Sequence, residues 1–328
     1  MRIGEEVLYL SRSDVVSVGL TPEECVDILE EAHRAKARDE VEMPRKPIIG
    51  DPLGEGFMCA YPARIGRDRI GVKWLGGRPG NGRAGLAQIN ALIILNDPET
   101  FFPIAIMDGT AITGMRTAGV SGIALRHLAR PESEVCAVLG CGFEGETHAH
   151  IVAAVCPGVK KILAWSPNIG TSERYAGRMR ERTGLEVEAV PDAEAAVRAA
   201  DIVVSSTPLG APERFALLHG NWLREGVTAV SISRANHFYP DAFFAFDSWY
   251  VDDRETMALA ALRPGFERCA ELPARELGTL LQKDCPGRQH DREKILFMSE
   301  GVAINDVAVD TAVYRRAVEK GIGTVLRL

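Results

Sequence analysis

Apolar positions recur along the chain in two rhythms, and the rhythm changes near residue 130. In the first part, residues 25, 26, 28, 29 and 32 are apolar at helical spacing, just after Thr21-Pro22-Glu23-Glu24. Thr21 as N-cap, Pro22 at the first helical position and Glu24 three residues after the cap predict a helix running through about Arg38. Gly71–Leu75 predicts a short strand, and Ala91–Leu95 a buried strand closed by the turn Asn96-Asp97-Pro98. Pro103–Met107 predicts another strand, and a run of small residues predicts a helix over Ala111–Ala129. Between these, Arg78 to Gly85 holds glycines, a proline and two arginines, which predicts a loop.

After Arg130-Pro131-Glu132 strands and helices alternate. Strands are predicted at Val135–Leu139, Lys161–Trp165, Glu186–Val190, Ile202–Ser205 and Thr228–Ser231. Helices are predicted at Glu146–Val155, Thr171–Thr183 and Ala193–Ala199. Strand–helix alternation at this spacing builds parallel βαβ units. The fold class is therefore α/β, with a doubly wound domain over residues 130–301. The last segment, Val302–Lys320, reads as a helix that packs back onto the beginning of the chain. Residues 1–129 and 302–328 are then one discontinuous α+β domain.

Composition narrows the function classes. The 328 residues suit about two domains, at about 150 residues each. Hydrophobic residues are 46% and charged residues 25%, which excludes a disordered, collagen-like or disulfide-scaffold chain. A net charge of −7 and a pI near 5.6 argue against a nucleic-acid partner, which needs a basic face. No apolar run reaches the ~18 residues of a membrane span. The start of the chain carries Glu5 and Glu6 and lacks a secretory core. Seven cysteines without a C-x-x-C pair point to reduced thiols in a cytoplasm, with no metal site.

Gly140-Cys141-Gly142-Phe143-Glu144-Gly145 is G-x-G-x-x-G between a predicted strand and a predicted helix, the setting of a dinucleotide fingerprint. Gly140 permits the tight turn, Gly142 lets a pyrophosphate approach the backbone, and Gly145 lets helix and sheet close up. The helix start, with Phe143 and Glu144, then faces the phosphates. This makes the second domain a Rossmann domain for NAD or NADP. The end of the next strand, Ala164-Trp165-Ser166-Pro167-Asn168, lacks the carboxylate that usually holds the ribose 2′-hydroxyl. Ser166 could bond to a 2′-phosphate and Arg174 could pair with one, so the coenzyme stays open between NAD and NADP. Trp165 reads as packing. Ser206 and Thr207, then Ser231 and Ser233, follow further strands, where hydroxyls reach a cofactor crevice; a plain polar loop is the other reading.

A second cluster lies in the first domain. Lys73 interrupts an apolar strand, and Arg116 sits among small apolar residues. Buried cations need partners, and arginine suits a carboxylate. A substrate carboxylate is one such partner; a structural Asp, with Lys73 snorkelling out, is the other. Arg45-Lys46, between Pro44 and Pro47, add positive charge on a stiff loop.

At these residues the chain resembles the ornithine cyclodeaminase/mu-crystallin family. The resemblance runs nearly end to end: Gly71-Val72-Lys73, Arg78-Pro79-Gly80-Asn81, Met115-Arg116-Thr117-Ala118, Gly140-Cys141-Gly142, Pro286-Gly287-Arg288 and Gly301-Val302-Ala303-Ile304 with Asp306. It implies a homodimer. It implies that Arg45 and Lys73 hold the substrate, with Lys73 near the reacting carbon, and that Arg116, with Thr117 beside it, bridges substrate and cofactor. Asp306, opening or capping the last helix, would border the active site, and Ser299 would lie near the nicotinamide. The family's cyclodeaminases carry an acid/base aspartate where this chain has Ser233, and without that carboxylate cyclisation loses its proton-transfer group.

Within the family, the stretch from Ile93 to Thr100 and Glu276-Leu277-Gly278 look most like the N-(2-amino-2-carboxyethyl)-L-glutamate dehydrogenase branch. That branch has an Asp at Ser166 and an apolar residue at Arg45. The resemblance implies an NAD(P)-dependent oxidoreductase acting at a C–N bond, with Lys73 and Arg116 catalytic and Arg45, Lys46, Lys73 and Arg116 holding substrate. The expected products are 2,3-diaminopropionate and 2-oxoglutarate. Imine reduction, alanine-type dehydrogenation, cyclodeamination and a crystallin-like binding role follow in that order. His148 and His150 are expected at solvent or the domain interface, and His237 could reach the nicotinamide. Asp252-Asp253 is expected to end a strand at the sheet edge.

Overall fold

A computed structural model describes residues 2–50, 56–207, 218–232, 235, 237–262, 264–282, 285 and 287–328. The chain forms two compact units, Met1–Arg116 with Val302–Leu328, and Thr117–Gly301. The division falls inside the helix Gly109–Leu128, earlier than the boundary at residue 129 expected from the change of rhythm.

In the first unit, helix Pro22–Ala37 begins as its capping box dictates. The Thr21 hydroxyl accepts from the Glu24 amide, and the Glu24 carboxylate accepts from the Thr21 amide at 2.9 Å. The sheet runs Thr324–Arg327, Glu6–Leu10, Pro103–Asp108, Ile89–Asn96, Arg69–Gly77, Phe57–Ile65 and Val41–Glu42, with Ile48–Gly50 also pairing with Phe57–Ile65. Strand alternation puts Gly71, Lys73, Leu75 and Gly77 on the buried face and Trp74 on the other. Helices Pro22–Ala37 and Ala303–Lys320 cover the buried face, joined to it by Ala32, Ala63, Ile65, Ile304 and Val307.

Two sequence expectations change here. The segment expected as a loop at Arg78–Gly85 contains a 3-10 helix, Pro79–Ala84, closed by Gly85 in the left-handed region. Its glycines and proline conceal a turn held by backbone bonds. Strand Phe57–Ile65 was not expected, because Pro62 breaks its reading as a strand; it nonetheless pairs along its length with Arg69–Gly77.

The second unit holds a parallel sheet. Its order is Glu186–Ala189, Lys161–Trp165, Val135–Leu139, Ile202–Ser205, Thr228–Ser231, Ile295–Met298, Ser248–Val251, Arg275–Glu276. The first strand of this unit, Val135–Leu139, thus lies between its second and its fourth, and the order reverses beside it. That reversal is where an open α/β sheet leaves a crevice at its carboxyl ends. Ile202 pairs with Cys136 and Ser205 with Leu139, so the two strands end level. The helix after the glycine turn starts at Phe143, three residues before the expected Glu146, because Gly142 itself is the N-cap. All seven cysteines are free thiols.

Candidate active site

Lys73 lies on the buried face of Arg69–Gly77, with Tyr61 and Ile93 as its cross-strand neighbours. Helix Ala303–Lys320 lies over these strands and brings Asp306 down onto the lysine. Lys73 Nζ donates to Asp306 Oδ1 at 2.8 Å. Arg116 Nε donates to the same oxygen at 2.9 Å. Lys73, Asp306 and Asp310 are fully buried, and Arg116 nearly so. The Lys73 ammonium stands 4.5 Å from the centre of the Tyr61 ring, and the Lys46 ammonium 4.9 Å from the same ring. Lys46, Lys73 and Arg116 therefore belong to one cationic group around Tyr61 and Asp306.

Burial pushes the Lys73 ammonium down to about 8, Arg116 adds to that, and Asp306 opposes it. A lysine with this proton affinity can give and take a proton near neutral pH. Asp310, one helical turn beyond Asp306, is pushed well above the usual carboxyl range by burial and by Asp306. Neither of its carboxyl oxygens has a hydrogen-bond partner among the described residues. Burial also raises the Cys59 thiol and the Tyr61 hydroxyl, which keeps both neutral.

Lys73 and Arg116 thus share a protein carboxylate as partner, but Lys73 does not snorkel out as the plainer sequence reading had it: it is fully buried. Asp306 does not cap its helix: Val302 is the N-cap, and Asp306 sits inside the first turn. Arg45 is exposed between Val41–Glu42 and Ile48–Gly50, and no hydrogen bond or ion pair joins it to the cluster among the described residues. Sequence reasoning missed Tyr61 and Asp310. The available signal for Asp310 was a second carboxylate, four residues after Asp306, on an otherwise apolar helix stretch.

In the second unit the glycine turn has the shape its spacing requires. Gly140 has φ +113°, and a Cβ there would lie 2.7 Å from the Ser206 carbonyl. A Cβ on Gly145 would lie 2.1 Å from the Gly140 oxygen. A Cβ on Gly142 would meet nothing within 4 Å, so this position opens onto free space. Gly142 is the N-cap of helix Phe143–Val155 and brings no side chain to this helix start, where the backbone dipole favours an anion. The Ser206 hydroxyl donates to Gly140 O at 2.9 Å and locks the turn to the neighbouring strand. These residues fit a dinucleotide pyrophosphate.

Other predicted site residues divide by role. Thr117 and Thr207 are buried, and Ser166 is half-buried at the end of Lys161–Trp165. The Ser231 hydroxyl accepts from the Ala235 amide at 2.9 Å and so braces its own turn. Ser299 donates to Asp252 at 2.9 Å. Asp252 also accepts from the Gly301 amide at 2.8 Å. It is fully buried and its strand has Arg275–Glu276 outside it, so it is no sheet-edge residue. Trp165, Ser205, Thr207 and His237 line one small cavity at the carboxyl ends of the strands. His148, expected at solvent or the domain interface, is fully buried between Glu144 O and the Ser121 hydroxyl. Ser233, Pro208 and Pro286 lie outside the described residues. Arg288 bonds to Leu128 O and to the Thr228 hydroxyl, which is a structural use.

Residues 6–321 match the ornithine cyclodeaminase/mu-crystallin family. The N-((2S)-2-amino-2-carboxyethyl)-L-glutamate dehydrogenase of Staphylococcus aureus is 30% identical over 99% of this chain and 100% of its own length. The alanine dehydrogenase of Archaeoglobus fulgidus is 29% identical over 98% of each. Among solved structures, the Δ1-pyrroline-2-carboxylate reductase of Thermococcus litoralis, in complex with NADH and L-proline, matches with a TM-score of 0.90 and 28% identity. That match covers 97% of this chain and 99% of the other.

Proposed function

This chain belongs to the ornithine cyclodeaminase/mu-crystallin family, and from that premise we propose that it oxidises N-(2-amino-2-carboxyethyl)-L-glutamate. It is an NAD(P)-dependent oxidoreductase of amino acids or imines. The specific reaction is removal of hydride from the α-carbon of the glutamate half, leaving a C=N bond and releasing a proton. Water then adds to that imine, and the C–N bond breaks to give 2-oxoglutarate and 2,3-diaminopropionate. The bound nicotinamide supplies the hydride acceptor.

The observation that carries this reading is the buried Lys73–Asp306–Arg116 cluster. Arg116 and Lys46 hold substrate carboxylates and orient the α-hydrogen. Arg45, exposed beside Lys46 in sequence, reaches the outer carboxylate. Lys73, with its proton affinity near 8, takes the proton from the substrate nitrogen and later steers water to the imine carbon. Asp306 positions the two cations by tying both to one oxygen. Phe143, Glu144, Thr117, Ser206, Thr207 and Ser299 line the nucleotide side, the first two through their backbone.

A second reading, imine reduction, is supported by the similarity to the Thermococcus reductase. The two separate in a 340 nm assay with NAD, NADP, NADH and NADPH. Cofactor reduction with the glutamate adduct, and release of 2-oxoglutarate, supports the dehydrogenase. Oxidation of reduced cofactor by a cyclic ketimine, with no turnover of the adduct, overturns it. The substrate unit also exposes Met58, Trp74 and Leu92 on the sheet face away from Lys73, with Trp74 directly opposite Leu92. A second copy of the chain is the cover that this face calls for, as in a homodimer.

A further inference from the structure

We propose that the nucleotide site selects NADP(H) over NAD(H), with Ser166, Asn168 and Arg174 forming the seat of the 2′-phosphate. The inference rests on the reading that the second unit holds a nicotinamide dinucleotide. Strand Lys161–Trp165 lies beside the glycine-turn strand, and the residues just past it are those that meet the adenosine ribose. An NAD site places a carboxylate there. This chain runs Ser166-Pro167-Asn168-Ile169-Gly170-Thr171-Ser172, and no acid occurs before Glu173.

Polar groups converge at this place. Asn168 is the N-cap of helix Ile169–Thr183, yet its side chain makes no capping bond. A Cβ on Gly170 would lie 3.2 Å from Asn168 Oδ1 and 3.4 Å from Arg174 Nη1, so amide and guanidinium both lie over this one glycine. Arg174 Nη2 donates to the Thr171 hydroxyl at 3.1 Å, which turns the side chain back over the first helical turn.

The charge of Arg174 is uncommitted, whereas its neighbours' charges are not. Arg178 and Arg182 on the same helix pair with Glu146. Lys161 pairs with Glu186 and Glu188. Arg174 has no carboxylate partner among the described residues. Asp192, the acid after the adjoining strand, is occupied as the N-cap of helix Ala193–Ala199, accepting from the Glu194 amide at 3.0 Å. A dianionic phosphate therefore meets one guanidinium, a hydroxyl and an amide, with no facing acid. A ribose hydroxyl lacks the acceptor it finds in an NAD site.

Titration of the full chain with NADPH and NADH, followed by nicotinamide fluorescence, tests this directly. NADPH is expected to bind at least about tenfold more tightly, the equivalent of one charge-assisted contact. In competition, 2′,5′-ADP is expected to displace NADPH at lower concentration than 5′-AMP. Arg174→Ala is expected to weaken NADPH about tenfold and leave NADH unchanged. Ser166→Asp is expected to reverse the preference. Equal or tighter binding of NADH by the native chain overturns the selectivity and leaves the dinucleotide reading standing. Binding of neither coenzyme by a folded protein overturns both.

Discussion

Lys73 and Arg116 share a single oxygen, Oδ1 of Asp306, at 2.8 and 2.9 Å, although they come from a strand and a helix 43 positions apart in number, 73 and 116. Both cations thus depend on one buried anion. Removing that shared anion takes a buried partner from both cations, at about 3–5 kcal/mol. Asp306→Asn is expected to destabilise the chain by about that much in urea melts. Lys73→Met leaves the Asp306–Arg116 pair intact. It is expected to lose turnover by about 10²–10⁴-fold while the coenzyme still binds. Near-normal turnover of Lys73→Met would remove the lysine from the chemistry.

The proton affinity of Lys73 sets the pH profile. Oxidation of an amine needs the neutral lysine as acceptor, so kcat/KM is expected to rise with pH through about 8. Imine reduction needs the protonated form and is expected to fall through the same region. Asp306 favours the ammonium, so Asp306→Asn shifts the midpoint lower. A profile without an inflection from pH 6 to 10 would refute this role.

Asp310 predicts a stability effect of a particular sign. Its folded-state proton affinity is raised above that of the unfolded chain. The folded chain keeps this proton where the unfolded chain releases it. Stability is therefore lost as pH climbs above the ordinary carboxyl value of about 4. Asp310→Asn cannot ionise. Relative to the native chain, it is expected to gain stability as pH rises from 4.5 to 8. Urea melts at the two pH values read this, and a difference independent of pH would show that Asp310 ionises freely in the folded state.

Much of the nucleotide turn was legible because its requirements are local: Gly140, Gly142 and Gly145 act within six residues. Lys73 was legible as a cation inside an apolar strand. Its partner was less so, because Asp306 lies 233 positions away and no periodicity links the two. Strand Thr324–Arg327 escaped because every residue in it is exposed, so it carries no alternation. Strand Phe57–Ile65 escaped because Pro62 interrupts it, and with it went Tyr61, the ring between Lys46 and Lys73. Long-range pairing, rather than propensity, decided each of these.

The exposed face of the substrate unit predicts self-association. Trp74 and Leu92 are about half exposed and stand opposite each other on adjacent strands. Trp74→Glu places a charge on the surface a second copy would cover. It is expected to yield monomers in sedimentation velocity runs, with the fold retained by circular dichroism. A native chain that sediments as a monomer at micromolar concentration would refute the dimer.

His148 predicts an acid limb to the stability curve. Glu144 O can only accept, so Nδ1, at 2.7 Å from it, carries the proton. Nε2 then accepts from the Ser121 hydroxyl at 3.0 Å. The neutral ring satisfies both neighbours, and a second proton would break the Ser121 bond and put a charge in the core. Burial accordingly holds the ring down to about 4, against 6.5 in the unfolded chain. Unfolded chains take up a proton below pH 6.5 that folded chains refuse. The stabilisation is present above that pH and is lost as pH falls toward 4, on the order of 3 kcal/mol at most. His148→Gln keeps a donor and an acceptor but does not titrate. Its stability is expected to fall less than the native chain's between pH 7 and pH 4.5. A variant with the native acid slope would place the lost stability in other groups and leave His148 a neutral spectator of acid unfolding.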